Sequence, residues 1–433
     1  MPFALESQVP ADQVQHWVAI LMGLFGVGCF VTSIPWGWYT DRSTSRRTPF
    51  LLGLLLLLIA TILLWVAPRL ADASIPVQVI ARLLQGLAST VVWTTGFAVL
   101  VDAVGQEHIG EASGYIGIAL NAGSITAPLL GGIVFAKSGY DAVFALVLSV
   151  VAVDILFRLV MKERPCTEKA EPDFDMVTDP EALKKHVIVE INPVASSMDS
   201  SEDDLIKALP QTSAISRLPG FVRLLFSTRF LVALWGIVML ASTFSGIETI
   251  LPLAVKSAFG WDSMGSGLIF LPLSVPAVLG PLFGKLTDRF GIGRWFAGSA
   301  FLVLCPTLIA LRFVQSNSTN QKALLCILLA IVGLCLTMIL EPLFAEVTLR
   351  ATQLEREEES ARNDGTKHPG YYAQAYGLFN MAWALGNVLG PLMAGFLVDA
   401  AGWKTATLAL GLLCGGSAMP VILWCNGFIV MKK

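Results

Sequence analysis

Residues 114–140, "GYIGIALNAGSITAPLLGGIVFAKSGY", return at 377–403 as "GLFNMAWALGNVLGPLMAGFLVDAAGW". The offset is a constant 263, so Gly114, Gly123, Pro128, Gly132 and Gly139 meet Gly377, Gly386, Pro391, Gly395 and Gly402. Earlier in the chain, "GWYTDR" (37–42) returns as "GKLTDR" (284–289) at an offset of 247, which Gly86 and Gly333 share. The offset grows by 16 because the second copy carries an extra polar insert, "LEREEESARNDGTKHPG". Two copies of one unit in the same chain order predict a duplicated architecture of two similar halves.

Composition says what the halves are made of. Of 433 residues, 55% are hydrophobic and 14% charged, against about 25% charged in soluble domains, and mean hydropathy is +0.69. Windows long enough to cross about 30 Å of hydrocarbon fall near 17–39, 48–67, 75–103, 112–136, 141–161, 229–255, 262–284, 292–312, 323–348, 371–398 and 402–430. The fold class is therefore an all-α membrane protein with eleven spans. Residues 1–161 form an N-terminal half-bundle of five helices and 229–433 a C-terminal half-bundle of six. The stretch 162–228, rich in Glu, Asp, Lys, Ser and Pro, is a hydrophilic, partly disordered linker. A parallel repeat of this kind places a binding site between the halves.

Charge sets the orientation. With the loop at 41–48 placed in the cytoplasm and the loops alternating from there, 21 Lys and Arg fall on the cytoplasmic side and 6 on the other, as the positive-inside rule requires. The C-terminus is then inside, and the N-terminus and the sequon Asn317-Ser318-Thr319 are outside. A net charge of −3 gives no reason to expect a nucleic-acid partner. The seven cysteines form no CxxC or His/Cys cluster and read as small hydrophobes. No P-loop, metal cluster or nucleophile constellation is present. No cofactor, no metal and no enzymatic activity are expected, and the energy source is an ion gradient.

These motifs resemble those of the major facilitator superfamily across essentially the whole chain. The resemblance is to the 12-helix drug:proton antiporter branch, which includes vesicular-amine-type carriers and fungal efflux pumps. Gly37, Asp41 and Arg42 match that family's charged loop, with Arg46 and Arg47 one residue late; Gly284, Asp288, Arg289 and Arg294 form its second copy. Arg82 and Gln85, followed by Gly86, resemble the fourth-helix motif. "GSITAPLLGG" (123–132) resembles the antiporter motif of the fifth helix through Gly123, Pro128, Gly131 and Gly132, with Ala127 in place of a glycine. The resemblance implies a 6+6 bundle working by alternating access. Its implied partners are the lipid bilayer, protons and a small organic substrate, exported as a drug or secondary metabolite. The plasma membrane is preferred over a vacuolar or vesicular one.

Single residues add chemistry. Asp41, Arg42, Arg46, Arg47 and Asp102, with Glu346 as the counterpart of Asp102 in the second half, could form a charge network that breaks on switching. The alternative is that the arginines only fix topology. Arg82 lies inside a span, where a charge is costly and faces a cavity or an acid; Leu329 and Val332 occupy the repeat positions of Arg82 and Gln85, so the polar pair is not duplicated. Glu248 and Glu341 are intramembrane carboxylates and candidates for proton or cation coupling, although Glu341 could lie close enough to the inner surface to be hydrated. Asp154 and Arg158 are spaced to pair on one helix face. Trp93, Tyr115, Asn121, Asn380, Trp383, Asn387 and Trp235 could line a cavity, or the aromatics could be interface anchors.

The first half is one helix short. "MPFAL" (1–5) aligns with "LPLAV" (251–255), Pro2 meeting Pro252, so the chain begins at the last turn of the repeat's first helix. A shortened gene model, a natural truncation and a decayed, non-transporting protein would each produce this. A facilitator or importer on the same fold is the other functional alternative.

Overall fold

The computed structural model describes residues 2–6, 8–42, 47–70, 73–104, 109–160, 220–290, 293–361 and 372–425. The linker expected at 162–228 lies outside them as far as residue 219. Every regular element among the described residues is a helix, joined by short non-helical turns such as 8–13, 260–262 and 314–318, because in hydrocarbon a backbone amide finds a partner only within its own helix. In the first half these are α1 (Pro2–Leu5), α2 (Val14–Arg42), α3 (Arg47–Val66), α4 (Ser74–Val104) and α5 (Ile109–Val160). The second half comprises α6 (Gly220–Leu225), α7 (Thr228–Phe259), α8 (Ser263–Leu268), α9 (Phe270–Ser274), α10 (Gly280–Phe290), α11 (Gly293–Ala310), α12 (Thr319–Ala361) and α13 (Tyr372–Trp424).

Nine stretches among the described residues are long and apolar enough to span a membrane. Two of them hold two crossings each. Ala122–Val160 has 39 residues and Gln374–Trp424 has 51, about 58 and 76 Å at 1.5 Å per residue. Each folds back at a glycine in a conformation essentially closed to other residues: Gly139 at φ 80°, ψ −171° and Gly402 at φ 78°, ψ 174°. These two glycines are partners in the repeat. Dividing both helices there restores the eleven crossings expected. The next residue then anchors each turn. Tyr140 donates its hydroxyl to the Leu64 carbonyl at 2.6 Å, and Trp403 donates Nε1 to the Leu311 carbonyl at 2.9 Å. Tyr140 and Trp403 differ by the offset 263, Leu64 and Leu311 by 247, so one tether is built twice.

The window expected at 262–284 is not one helix. Pro272, Pro276 and Pro281 each lack a backbone N–H, and the span divides into α8, α9, a 3-10 segment (Val275–Leu279) and α10. Its repeat counterpart α2 contains only Pro35 and stays continuous.

Small residues decide how the helices cross. A Cβ on Gly86 would lie 2.1 Å from the Phe25 carbonyl oxygen, and one on its counterpart Gly333 would lie 2.0 Å from that of Leu273. Between the halves, a Cβ on Gly132 of α5 would meet the Ser263 oxygen of α8 at 2.7 Å. One on Gly395 of α13 would meet the Ala19 Cβ of α2 at 2.2 Å. The two seams, α5 on α8 and α13 on α2, are thus the same contact with the halves exchanged.

One place breaks the symmetry. Gly386 packs against Val238, Ala241 and Ser242 of α7, whereas its counterpart Gly123 has no described atom within 4 Å of an added Cβ. In their most apolar windows, 72% of α7 is buried but only 6% of Ala122–Val160. The repeat counterpart of the last turns of α7 is the single turn α1, and no described helix covers this face of α5.

Replacing Gly139 or Gly402 by Ala forces a side chain into the disallowed turn, and each should cost about 1–3 kcal/mol. Thermal unfolding in detergent should show both transitions lowered, with Gly377→Ala, which faces open space, unchanged.

Candidate functional site

The α2–α13 seam runs through the middle of the molecule and carries polar contacts along its length. Asn380 of α13 donates Nδ2 to the Ser33 hydroxyl of α2 at 3.3 Å, placing an expected cavity residue on the interface between the halves. Asn387 meets α2 through its backbone, which lies 2.7 Å from where a Cβ on Gly26 would sit.

Trp383 belongs to an aromatic column. It stacks on Phe379 (6.4 Å between ring centroids, 13° between planes), and Phe379 meets Phe344 of α12 edge-on at 5.4 Å. Phe344 also stacks on Tyr376 at 5.3 Å, and the Tyr376 and Thr348 hydroxyls are 3.0 Å apart. Phe344, Tyr376 and Phe379 were missed in the sequence. The signal available was the i, i+3, i+7 spacing of Tyr376, Phe379 and Trp383, which puts three rings on one helix face. Trp93 is half-buried on α4, and Trp235 is tied within its own half by a 3.2 Å bond to the Ser417 hydroxyl. The side chains of Tyr115 and Asn121 lie outside the described residues.

Three ionisable candidates sit inside the bundle. Arg82, just over two turns into α4, donates Nη1 to the Gln85 side-chain oxygen at 2.8 Å. The non-duplicated pair is therefore a real contact, with the amide dipole turned to the guanidinium. Glu248 is half-buried on α7 between the fully buried Ile247 and Thr249, and no described residue hydrogen-bonds or ion-pairs with it. Its neighbours cannot serve it, because Thr249 and Ser245 turn their hydroxyls back to the Ser245 and Ala241 carbonyls at 2.7 Å each. Glu341 is in a different place. Its carboxylate rests on α10, 2.8 Å from where a Cβ on Gly280 would sit and 3.7 Å from one on Gly284. Only a bare backbone lets it approach, and the contact joins Glu341 to the helix that carries "GKLTDR".

The charged-loop residues divide. Arg46 and the side chains of Asp41, Arg42, Asp102 and Asp288 lie outside the described residues. Gly37 faces open space, Arg289 is exposed, and Glu346 is buried at 7% exposure. Arg47 and Arg294, which share the 247 offset, show matching geometry. Arg47 donates Nη2 to the Leu159 carbonyl at 2.6 Å, and Arg294 donates Nε to the Cys425 carbonyl at 2.7 Å. Each thus caps the C-terminal end of the last helix of its own half, where carbonyls lack helical partners and the helix dipole favours a cation. In the fifth-helix motif, Gly132 and Pro128 pack on Gly267 of α8, while Gly123 and Gly131 have open space beside them. Arg158 and Asp154 approach to 3.9 Å, as their spacing suggests, and the Arg158 guanidinium also lies 3.9 Å from the Phe50 ring centroid.

Removing Arg47 or Arg294 as Ala should lower thermal stability in detergent by about 1 kcal/mol each, whereas Lys at either position should recover part of the loss.

Comparison with known proteins bears on what this arrangement does. The family description "Major Facilitator Superfamily" matches residues 4–357. An MFS-type transporter of Schizosaccharomyces pombe is 31% identical over 97% of this chain and 89% of its own length. The human vesicular acetylcholine transporter is 23% identical over 94% of this chain and 65% of its own length. A crystal structure of a POT family transporter in complex with 5-aminolevulinic acid aligns at a TM-score of 0.62 and 15% identity, covering 96% of this chain and 88% of that one. That last likeness is one of fold.

Proposed function

The chain belongs to the major facilitator superfamily, and from that premise we propose that it is a proton-coupled exporter of small amphipathic organic compounds. Its relatives are transporters and its fold is theirs, so the activity is secondary transport of a small molecule through a multi-pass membrane protein. Proton coupling, export and the substrate class are our reading.

The observation that carries this reading is Glu248, a carboxylate on an apolar helix with no partner among the described residues. Such a group is stable there when it is protonated or when it faces a cation. A site holding one or the other, but not both, exchanges a proton for a cationic or strongly dipolar substrate. Serine 245, one turn away on α7, bonds the Gly386 carbonyl of α13 at 3.3 Å. That bond lies within the second half, but Asn387, next to Gly386, abuts Gly26 of α2, so substrate at Glu248 would lie near the turn of α13 that meets the other half. Phe344, Tyr376, Phe379 and Trp383 would supply the apolar wall for an amphipathic body. Arg82, on the other half, would sense the charge of Glu248 across the cavity, with Gln85 holding its guanidinium in place. Asp41, Arg42 and Asp102 would close the arginine-rich end of the halves, with Asp288, Arg289 and Glu346 as their counterparts. The packing of Pro128 and Gly132 on α8 supports the direction, because it closes one of the two seams through which an exporter would leak. We place the protein in the plasma membrane.

Proteoliposomes with an imposed pH gradient test the coupling. An amphipathic organic cation such as a fluorescent dye should accumulate against its concentration gradient, and collapsing the pH gradient should stop it. Glu248→Gln should abolish accumulation while leaving downhill exchange, and Arg82→Ala should cut accumulation at least tenfold. Equal uptake with and without the gradient would rule out antiport, and normal pumping by both variants would discard these residues. Changing Tyr376 or Trp383 to Ala should raise the KM for aromatic cations several-fold and leave that for small aliphatic ones unchanged.

A further inference from the structure

The end of the seam away from the arginine-rich loops holds a set of contacts that the transport site does not use. Leu5 of α1 is fully buried and packs with Val14, Val18 and Leu21 of α2, and Leu253 of α7 joins that cluster from the other half. Next to it Glu6 forms an ion pair with Lys256. The alignment of Pro2 with Pro252 makes Glu6 and Lys256 equivalent, so the pair joins one repeat position to itself across the axis relating the halves. On the neighbouring seam, His16 Nδ1 of α2 faces Asp399 Oδ2 of α13 at 3.6 Å.

Between these contacts lies a fault. Gln15, the second residue of α2, is only 8% exposed. Among the described residues, neither its Oε1 nor its Nε2 has a hydrogen-bond partner. Its Nε2 lies 3.4 Å from where a Cβ on Gly395 would sit, so the amide is pressed on the tightest crossing of the α2–α13 seam. A buried amide with both ends unsatisfied is unfavourable wherever it stays dry, and it is relieved as soon as water or a polar group reaches it. Parting the halves at this end would uncover it.

We propose that this end of the seam is a poised gate: the Glu6–Lys256 pair latches the halves together, and the unsatisfied Gln15 amide keeps the latched state shallow enough to open. The opposition has a purpose in a transporter. A gate held by buried apolar contacts alone would rest in one state, whereas alternation needs two states of similar free energy. The pair is partly exposed, so its hold is modest, and the stranded amide is of comparable or larger size in the opposite direction. The proposal rests on the alternating-access reading but needs neither the proton nor the substrate assigned above.

Spin labels at Asp12→Cys and Ser257→Cys, both exposed positions on either side of this end, would report the gap between the halves in full-length protein whose other cysteines are replaced. The measurement is made in nanodiscs without substrate or pH gradient, so it does not depend on the transport assay. Gln15→Leu should raise the ratio of short to long distances about tenfold. Glu6→Gln and Lys256→Gln should each lower it about two- to fivefold, and the exchange Glu6→Lys with Lys256→Glu should restore it. A Gln15→Leu protein that melts higher with an unchanged distance distribution would show a purely structural amide and overturn the gate. So would single charge removals that leave the ratio unmoved, or an exchange that does not restore it.

Discussion

Everything in this molecule follows from the absence of water around its backbone. In hydrocarbon each amide must bond within its own helix, so the chain can only be a set of long helices, and the remaining freedom is how closely they cross. That distance is governed by missing side chains. Gly86 and Gly333 bring a helix against a neighbour's carbonyl at matched positions, and between the halves Gly132 meets the Ser263 carbonyl and Gly395 the Ala19 methyl. A methyl group at any of the four would collide with its neighbour.

Duplication of the crossings makes the exceptions informative. The aromatic tether after each glycine turn and the arginine cap on each last helix occur twice, with backbone carbonyls as acceptors. Backbone acceptors are present in any helix end whatever its sequence, which is why these devices could be copied with the scaffold. Arg82 with Gln85 occurs once, Leu329 and Val332 standing at the repeat positions, and Glu248 and Gln15 have no hydrogen-bond partner among the described residues. They are the groups whose satisfaction inside the protein is incomplete or depends on a partner outside the backbone, and these are the places where a solute, a proton or a change of state can act.

Some of the site was legible before any coordinates. The non-duplicated pair at 82 and 85 and the intramembrane position of Glu248 follow from repeat alignment and from the cost of polarity in hydrocarbon, while Asn380, expected at a cavity, proved to bond Ser33 of α2. Other contacts became visible only in the folded molecule. Arg47 and Arg294, expected in a charge network, each reach a backbone carbonyl, 112 and 131 residues away. The carboxylate of Glu341, a coupling candidate, lies on the glycines of α10. The aromatic column was overlooked because Phe344 is distant in sequence from the three rings on α13.

By itself the sequence determined the membrane class, the eleven crossings, the duplication and the family, because apolar length, glycine spacing and motif order are local properties that survive without knowledge of contacts. Only the tertiary structure decided which halves of which helices form the seams, which arginines cap helices, and where polar groups stay unsatisfied. Those outcomes depend on distances between segments up to 383 residues apart, as between His16 and Asp399, and no periodicity along one helix encodes the neighbour that another helix brings to it.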